Sequence, residues 1–126
     1  MEKQVQDWLE QAKADLKTAK DMITTENYYA AVSFSQQAAE KALKSVYISI
    51  KKKSPPKVHD LAELARMVNA PTNILPPSEK LSVTYLTSRY PGTAPEIPAR
   101  FYTKEKAEVH LREAEAILEW VKKMIK

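Results

Sequence analysis

The sequence contains no cysteine and only one glycine, Gly92. Without cysteine there is no disulfide, no thiolate metal site and no cysteine nucleophile. A single glycine excludes a glycine-rich phosphate loop and a Gly-x-Ser-x-Gly nucleophile elbow. Histidine is scarce too: His59 and His110 lie far apart, and neither belongs to a His-Glu-x-x-His motif. The expectation is therefore no metal and no cofactor. Apolar runs are short, and none approaches the ~20 residues that span a bilayer. Met1-Glu-Lys-Gln does not open a signal peptide. These absences predict a soluble, cytoplasmic protein with no membrane partner.

What remains is charge and helical periodicity. The chain of 126 residues is 44% hydrophobic and 29% charged, values that suit one globular domain over 1–126. Twenty Lys and Arg against sixteen Asp and Glu give a net charge of +4 and admit an acidic partner such as nucleotide, RNA or an acidic protein. Sixteen of those cations are lysine, a weaker nucleic-acid signature than an arginine-rich face. Many Lys and Glu, few Asn and eight prolines point to a thermophilic source.

Three stretches have helical spacing over their full length. In Glu2 to Glu26, Val5, Trp8, Leu9, Ala12, Leu16, Ala19, Met22 and Ile23 form one stripe, with Asp15 among the charges assigned to solvent. From Asn27 to Lys53, two apolar rows run side by side: Ala31, Phe34, Ala38, Ala42, Val46, and Val32, Ala39, Leu43, Val46, Ile50. Two rows require neighbours on two sides, so this helix is predicted to be central. The last stretch, Lys104 to Lys126 after a Thr103 cap, carries a heptad-like seam flanked by Ile117, Trp120 and Met124, with room for a homodimer contact. Two short helices are predicted between: one capped by Asp60 with Glu63 three residues later, the other from Ser78 to Ser88. No segment alternates with period two. The class is all-α, an antiparallel bundle of three long helices and two short ones.

A polar strip of Ser33, Gln37, Glu40, Lys44 and Lys51 runs along the central helix. It reads either as a solvated face or as a half-buried set that needs partners, since an unpaired buried charge is costly. Candidate partners stand at element ends: His59-Asp60 at a helix start and Arg89-Tyr90 at a helix end. Glu40 within salt-bridge reach of Arg89 is the specific expectation. The run Lys51-Lys-Lys-Ser-Pro-Pro-Lys57 suits the negative end of a helix dipole and also admits an anion site.

Ser-Gln-Gln-Ala-Ala-Glu-Lys-Ala-Leu-Lys in the central helix, Val-His-Asp-Leu after it, and Thr-Ser-Arg-Tyr-Pro-Gly later resemble the HEPN domain family (higher eukaryotes and prokaryotes nucleotide-binding). Trp8, Ala12, Asp15 and Leu16 fit the same pattern. The resemblance implies a helical bundle, commonly a homodimer, of the stand-alone kind paired with a minimal nucleotidyltransferase in toxin–antitoxin-like systems. It implies nucleotide or RNA binding, with Lys44, His59, Arg89 and Tyr90 as the binding candidates and Gln37, Glu40 and Asp60 as the polar network around them. In nucleotidyltransferase-paired systems a tyrosine such as Tyr90 is also a candidate for modification. Family members that cleave RNA without metal carry Arg, four to six residues, then His. Here the windows after Arg66, Arg89, Arg100 and Arg112 hold no histidine. A ribonuclease would need His59 brought to Arg89 by the fold. Three readings follow: a binding module, a metal-independent ribonuclease, and a structural dimeric partner.

Overall fold

In the computed structural model of the chain, which describes residues 2–125, the first stripe folds into α1 (Glu2–Thr24). Val5, Leu9, Ala12 and Ala19 are buried along it. Glu26 takes a left-handed conformation (φ 62°), and the Asn27 N–H donates to the Met22 carbonyl at 2.7 Å. That tight link returns the chain along α1 as α2 (Tyr28–Lys51). Asn27 precedes α2, but its side chain donates to Thr25 Oγ1 instead of capping the helix.

α2 is central, as its two apolar rows require: it packs on α1 over the broadest interface in the molecule and touches every other helix. Ala31, Ala38, Ala39 and Ala42 are fully buried, and their small side chains let neighbouring backbones approach. Fully buried Leu43, like Leu61, Leu64 and Leu118 on the elements around it, contributes about 2 kcal/mol by removal from water. The rows fail at one end. Ile50, in the last turn of α2 beside exposed Lys51, is 44% exposed.

α3 (Leu61–Met67) begins where the cap pattern places it. The Asp60 carboxylate accepts from Ala62 N–H at 3.0 Å and Glu63 N–H at 3.2 Å. The following helix starts earlier than predicted, as α4 (Leu75–Ser82). Pro76 falls in its first turn, where a missing N–H costs nothing, so the prolines lie inside the helix and do not precede it. Ser78 is therefore not a cap; it is buried, and its hydroxyl donates to the Ile74 carbonyl. The helix breaks at Val83 and resumes as α5 (Thr84–Thr87). At that junction the Thr84 hydroxyl donates to the Leu81 carbonyl at 2.7 Å, competing with the backbone ladder; at the far end of α5 the Ser88 hydroxyl donates to the Thr84 carbonyl at 2.6 Å. Gly92, at φ 84°, turns the chain after α5.

The loop over 91–102, with prolines at Pro91, Pro95 and Pro98, holds a short α6 (Pro98–Phe101) and is pinned to α5 by a 2.6 Å hydrogen bond between Tyr102 Oη and Thr87 Oγ1. Burial pushes the Tyr102 phenol above its usual range against the lowering effect of that bond. α7 (Lys104–Met124) is capped by Thr103, which accepts from Lys106 N–H. Its seam is buried at Ala107, Ala114, Leu118 and Val121, joined by Ile117, and Met124 is exposed. Lys126, the predicted end of this helix, lies outside the described residues. The described residues thus form an all-α bundle of three long helices, with four short ones filling the stretch between α2 and α7. Among the described residues there is no strand, and no helix is long and apolar enough to cross a membrane.

Asp15 corrects one expectation. Assigned to solvent by its charged neighbours, it is only 4% exposed and pairs with Lys41 of α2. A residue on the border of the stripe turns inward when a cation across the interface meets it.

Candidate functional site

The site grows from one fully buried amide. Gln36 lies on the face of α2 towards α3 and α5, and its Nε2 donates to Glu40 Oε1 at 3.0 Å, one turn on. The same amide nitrogen reaches the His59 carbonyl at 3.4 Å, and its Oε1 accepts from Arg89 Nη2 at 3.4 Å. One side chain of α2 thus ties together the residue before the α3 cap and the residue after α5.

Glu40 is the charged centre. Its side chain is 13% exposed and meets Lys44 Nζ at 3.0 Å and His59 Nδ1 at 3.1 Å from both carboxylate oxygens. Burial opposes its ionisation most strongly. Hydrogen bonds from Gln36, Lys44 and His59, with the charge of Lys44, outweigh burial and hold the carboxyl below its ordinary 4.5. An ionised carboxylate can only accept, so His59 Nδ1 carries a hydrogen directed at Glu40.

Tyr85 joins the remaining parts. The His59 ring stacks on it with centroids 4.4 Å apart and 17° between planes. The Arg89 guanidinium lies 4.1 Å from the same ring centroid and also donates to the Tyr85 carbonyl at 2.8 Å, an i to i+4 contact at the end of α5. Gln37, Glu40, Lys41, His59, Tyr85 and Arg89 line a cleft of about 160 Å³. A neighbouring open depression of about 250 Å³ shares His59 and Tyr85 and is also lined by Asp60, Ser82, Val83 and Leu86.

Several predicted residues therefore meet. His59, Arg89, Glu40 and Gln37 border one cleft, and Asp60 supports it from the cap of α3, where it also accepts from Ser82 Oγ. The predicted Glu40–Arg89 ion pair does not form: Lys44 and His59 occupy the carboxylate, and Arg89 reaches it only through Gln36. Lys44 does not line the cleft; it is 5% exposed, paired with Glu40 and 5.9 Å from the centroid of the Trp8 ring. Tyr90 is 52% exposed and outside the cleft wall. Sequence reasoning missed Gln36, Tyr85 and Lys41. Gln36 is hidden beside Gln37, although its spacing of four from Glu40 is a usable signal. Tyr85 reads as core from its apolar neighbours, yet its spacing of four from Arg89 points elsewhere. Among the described residues, no group of three or more His, Asp or Glu is arranged to hold a metal ion.

Comparison with known proteins agrees with this architecture. The chain is 30% identical to a candidate toxin of Methanocaldococcus jannaschii, over 94% of this chain and 86% of that one. The crystal structure of TT1696 from Thermus thermophilus superposes with a TM-score of 0.85 at 32% identity, covering 94% of this chain and 96% of its own. That of ST0689, an archaeal HEPN homologue, superposes with a TM-score of 0.82 at 34% identity, covering 97% and 98%. The HEPN domain matches residues 5–124, nearly the whole of the bundle just described. With a family match of that extent and a toxin-like relative at this identity, the chain belongs to the HEPN domain family.

Proposed function

We propose that the chain is the nucleotide- or RNA-binding component of a two-gene, toxin–antitoxin-like system whose other member is a minimal nucleotidyltransferase. The observation that carries the binding reading is the convergence of His59 and Arg89 on Tyr85 in one cleft. Tyr85 is covered by its two partners, so the half-exposed His59 ring is the face that would stack on a base, and a guanidinium with no carboxylate within 4.0 Å among the described residues accepts a phosphate. The toxin-like relative supports the two-component part. A homodimer is part of the proposal, supported by the exposed apolar side chains of Val83, Leu86 and Tyr90 beside the cleft. Calorimetric titration with AMP, ATP and a short RNA tests the binding. Arg89→Ala should weaken it about 10- to 100-fold, the usual worth of a charged hydrogen bond. Wild-type protein that binds none of the three ligands would sink the proposal. Co-purification with the neighbouring nucleotidyltransferase tests the partner, and sedimentation tests the dimer.

A second reading, a metal-independent ribonuclease, is favoured by the Glu40–His59 contact. In this reading the neutral His59 ring, with Nδ1–H held by Glu40, would take the proton of a ribose 2′-hydroxyl at Nε2 as its oxygen attacks phosphorus. Arg89 would neutralise the phosphate while the P–O5′ bond breaks and the 5′-oxygen takes a proton from water. RNA cleavage in the presence of chelator should vanish in His59→Ala and fall in Glu40→Gln. Unchanged cleavage in both variants would refute this reading.

A further inference from the structure

The distribution of charge has a sharper feature than its total. Lys51, Lys52, Lys53 and Lys57 stand within seven residues, between the last turn of α2 and the start of α3, and all four are exposed. Without them, the remaining sixteen cations match the sixteen acids, so the whole excess charge of +4 resides in this one loop. Among the described residues, none of the four has a carboxylate within 4.0 Å. Of the eleven other described lysines, Lys3, Lys17, Lys20, Lys41, Lys44 and Lys122 each meet an acid, and the five that do not are spread over α1, α4 and α7 instead of gathered in one loop.

Helix stability does not account for the cluster. Only Lys51 lies in the last turn of α2, where the dipole favours a cation. Lys52 adopts a left-handed conformation, φ 57°, at a position where glycine or asparagine is the unstrained choice. Lys53 and Lys57 stand beyond the helix. Mutual repulsion among four unpaired lysines opposes folding, and an anionic partner would relieve it.

The loop also has an address. Lys57 is two residues before His59, whose ring stacks on Tyr85 in the wall of both cavities. We infer that the Lys51–Lys57 loop is a backbone-tracking surface for a single-stranded RNA whose end or looped-out base enters the Tyr85–Arg89 cleft. This inference rests on the binding function proposed above and narrows its ligand from a mononucleotide to a polyanion. The half-exposed His59 ring and the unpaired cations that precede it in the chain are the two parts of a single-strand site. They favour RNA over an acidic protein, which would have no use for the stacking surface.

The test is the salt dependence of binding to a labelled 12-nucleotide RNA, with AMP as the cleft-only ligand. Each phosphate neutralised on a single strand adds about 0.7 to the slope of log affinity against log salt. The variant Lys51→Gln/Lys52→Gln/Lys53→Gln/Lys57→Gln should flatten that slope by about 2 to 3 units and weaken RNA binding at low salt at least about 10-fold. AMP affinity should hold. The pair Lys53→Gln/Lys57→Gln, away from the helix end, should give about half the slope change and guards against a folding defect. An unaltered slope in both variants overturns the inference. So does wild-type protein that binds AMP as tightly as RNA, a result that leaves the cleft function standing. Competition by poly-glutamate as strong as that by RNA of equal charge would overturn it in favour of an acidic protein partner. If neither AMP nor RNA binds, the cleft function and this inference fall together.

Discussion

Among single side chains, Gln36 carries more of the site than any charge. Its amide spends both ends on groups from other elements, so Gln36→Leu should leave Arg89 and the His59 carbonyl without their buried partner. The expected loss is about 1 to 3 kcal/mol in urea unfolding, with Arg89-dependent binding falling alongside. Stability unchanged by this substitution would mean that water replaces the amide at no cost. Glu40 makes the molecule acid-sensitive. Its folded carboxyl titrates below the ordinary 4.5, so the unfolded chain binds the proton first. The stabilisation is therefore complete above about pH 4.5 and disappears as pH falls through the lower folded value. Unfolding curves from pH 7 to pH 3 should show this acid limb in the wild type and a shallower one in Glu40→Gln. These two residues also mark what was legible. Glu40 stands out in the sequence from its place on a polar strip between two apolar rows. Its partner does not, because spacing shows which face a residue occupies but not which of two nearby cations, Lys44 or Arg89, reaches it first.

Helix caps link the short elements that carry half the site. Asp60 accepts from two N–H groups of α3 and from Ser82 at the end of α4, so Asp60→Ala removes a cap and a tie between helices. A cost of about 1 to 2 kcal/mol is expected in thermal or urea unfolding. Thr103→Ala, which removes only the cap of α7, should cost less. Equal effects would deny the Ser82 link any weight. The long helices were readable from the sequence because their apolar residues recur at steps of three and four over six turns, and caps such as Asp60 and Thr103 fixed where helices start. Short helices were less readable for a physical reason. Pro76 and Pro77 look like breakers, yet they stand in the first turn of α4, where they are tolerated. Thr84, whose hydroxyl takes the Leu81 carbonyl, stands at the point where spacing alone makes one helix and the chain makes two. Tyr85 on that broken segment reads as core because an aromatic on an apolar face looks the same whether it packs inward or accepts an arginine.

In the bundle as a whole, one buried ion pair spans the largest interface. Asp15 of α1 is nearly enclosed, whereas Lys41 of α2 keeps about a quarter of its side chain in contact with solvent (28% exposed). Loss of either partner is therefore unequal. Lys41→Ala leaves a buried carboxylate with only the Gln11 amide as partner and should cost about 2 to 3 kcal/mol, whereas Asp15→Ala leaves a lysine free to turn outward and should cost less. A double-mutant cycle measures the difference, and equal losses would show that the carboxylate is better hydrated than its enclosure suggests. The two halves of the site also differ in what holds them. Gln36 and Glu40 ride on α2, the helix with the most extensive packing in the bundle, whereas His59, Tyr85 and Arg89 come from a stretch of short helices and loops. Stretches of that kind open locally at lower free energy than a packed pair of long helices. Amide hydrogens of α5 should then exchange long before those of α2, and a bound ligand should slow the first set while leaving the second alone. The unliganded protein would accordingly spend a small fraction of its time with its bundle intact and its cleft dismantled, so that occupancy becomes something the ligand helps to assemble.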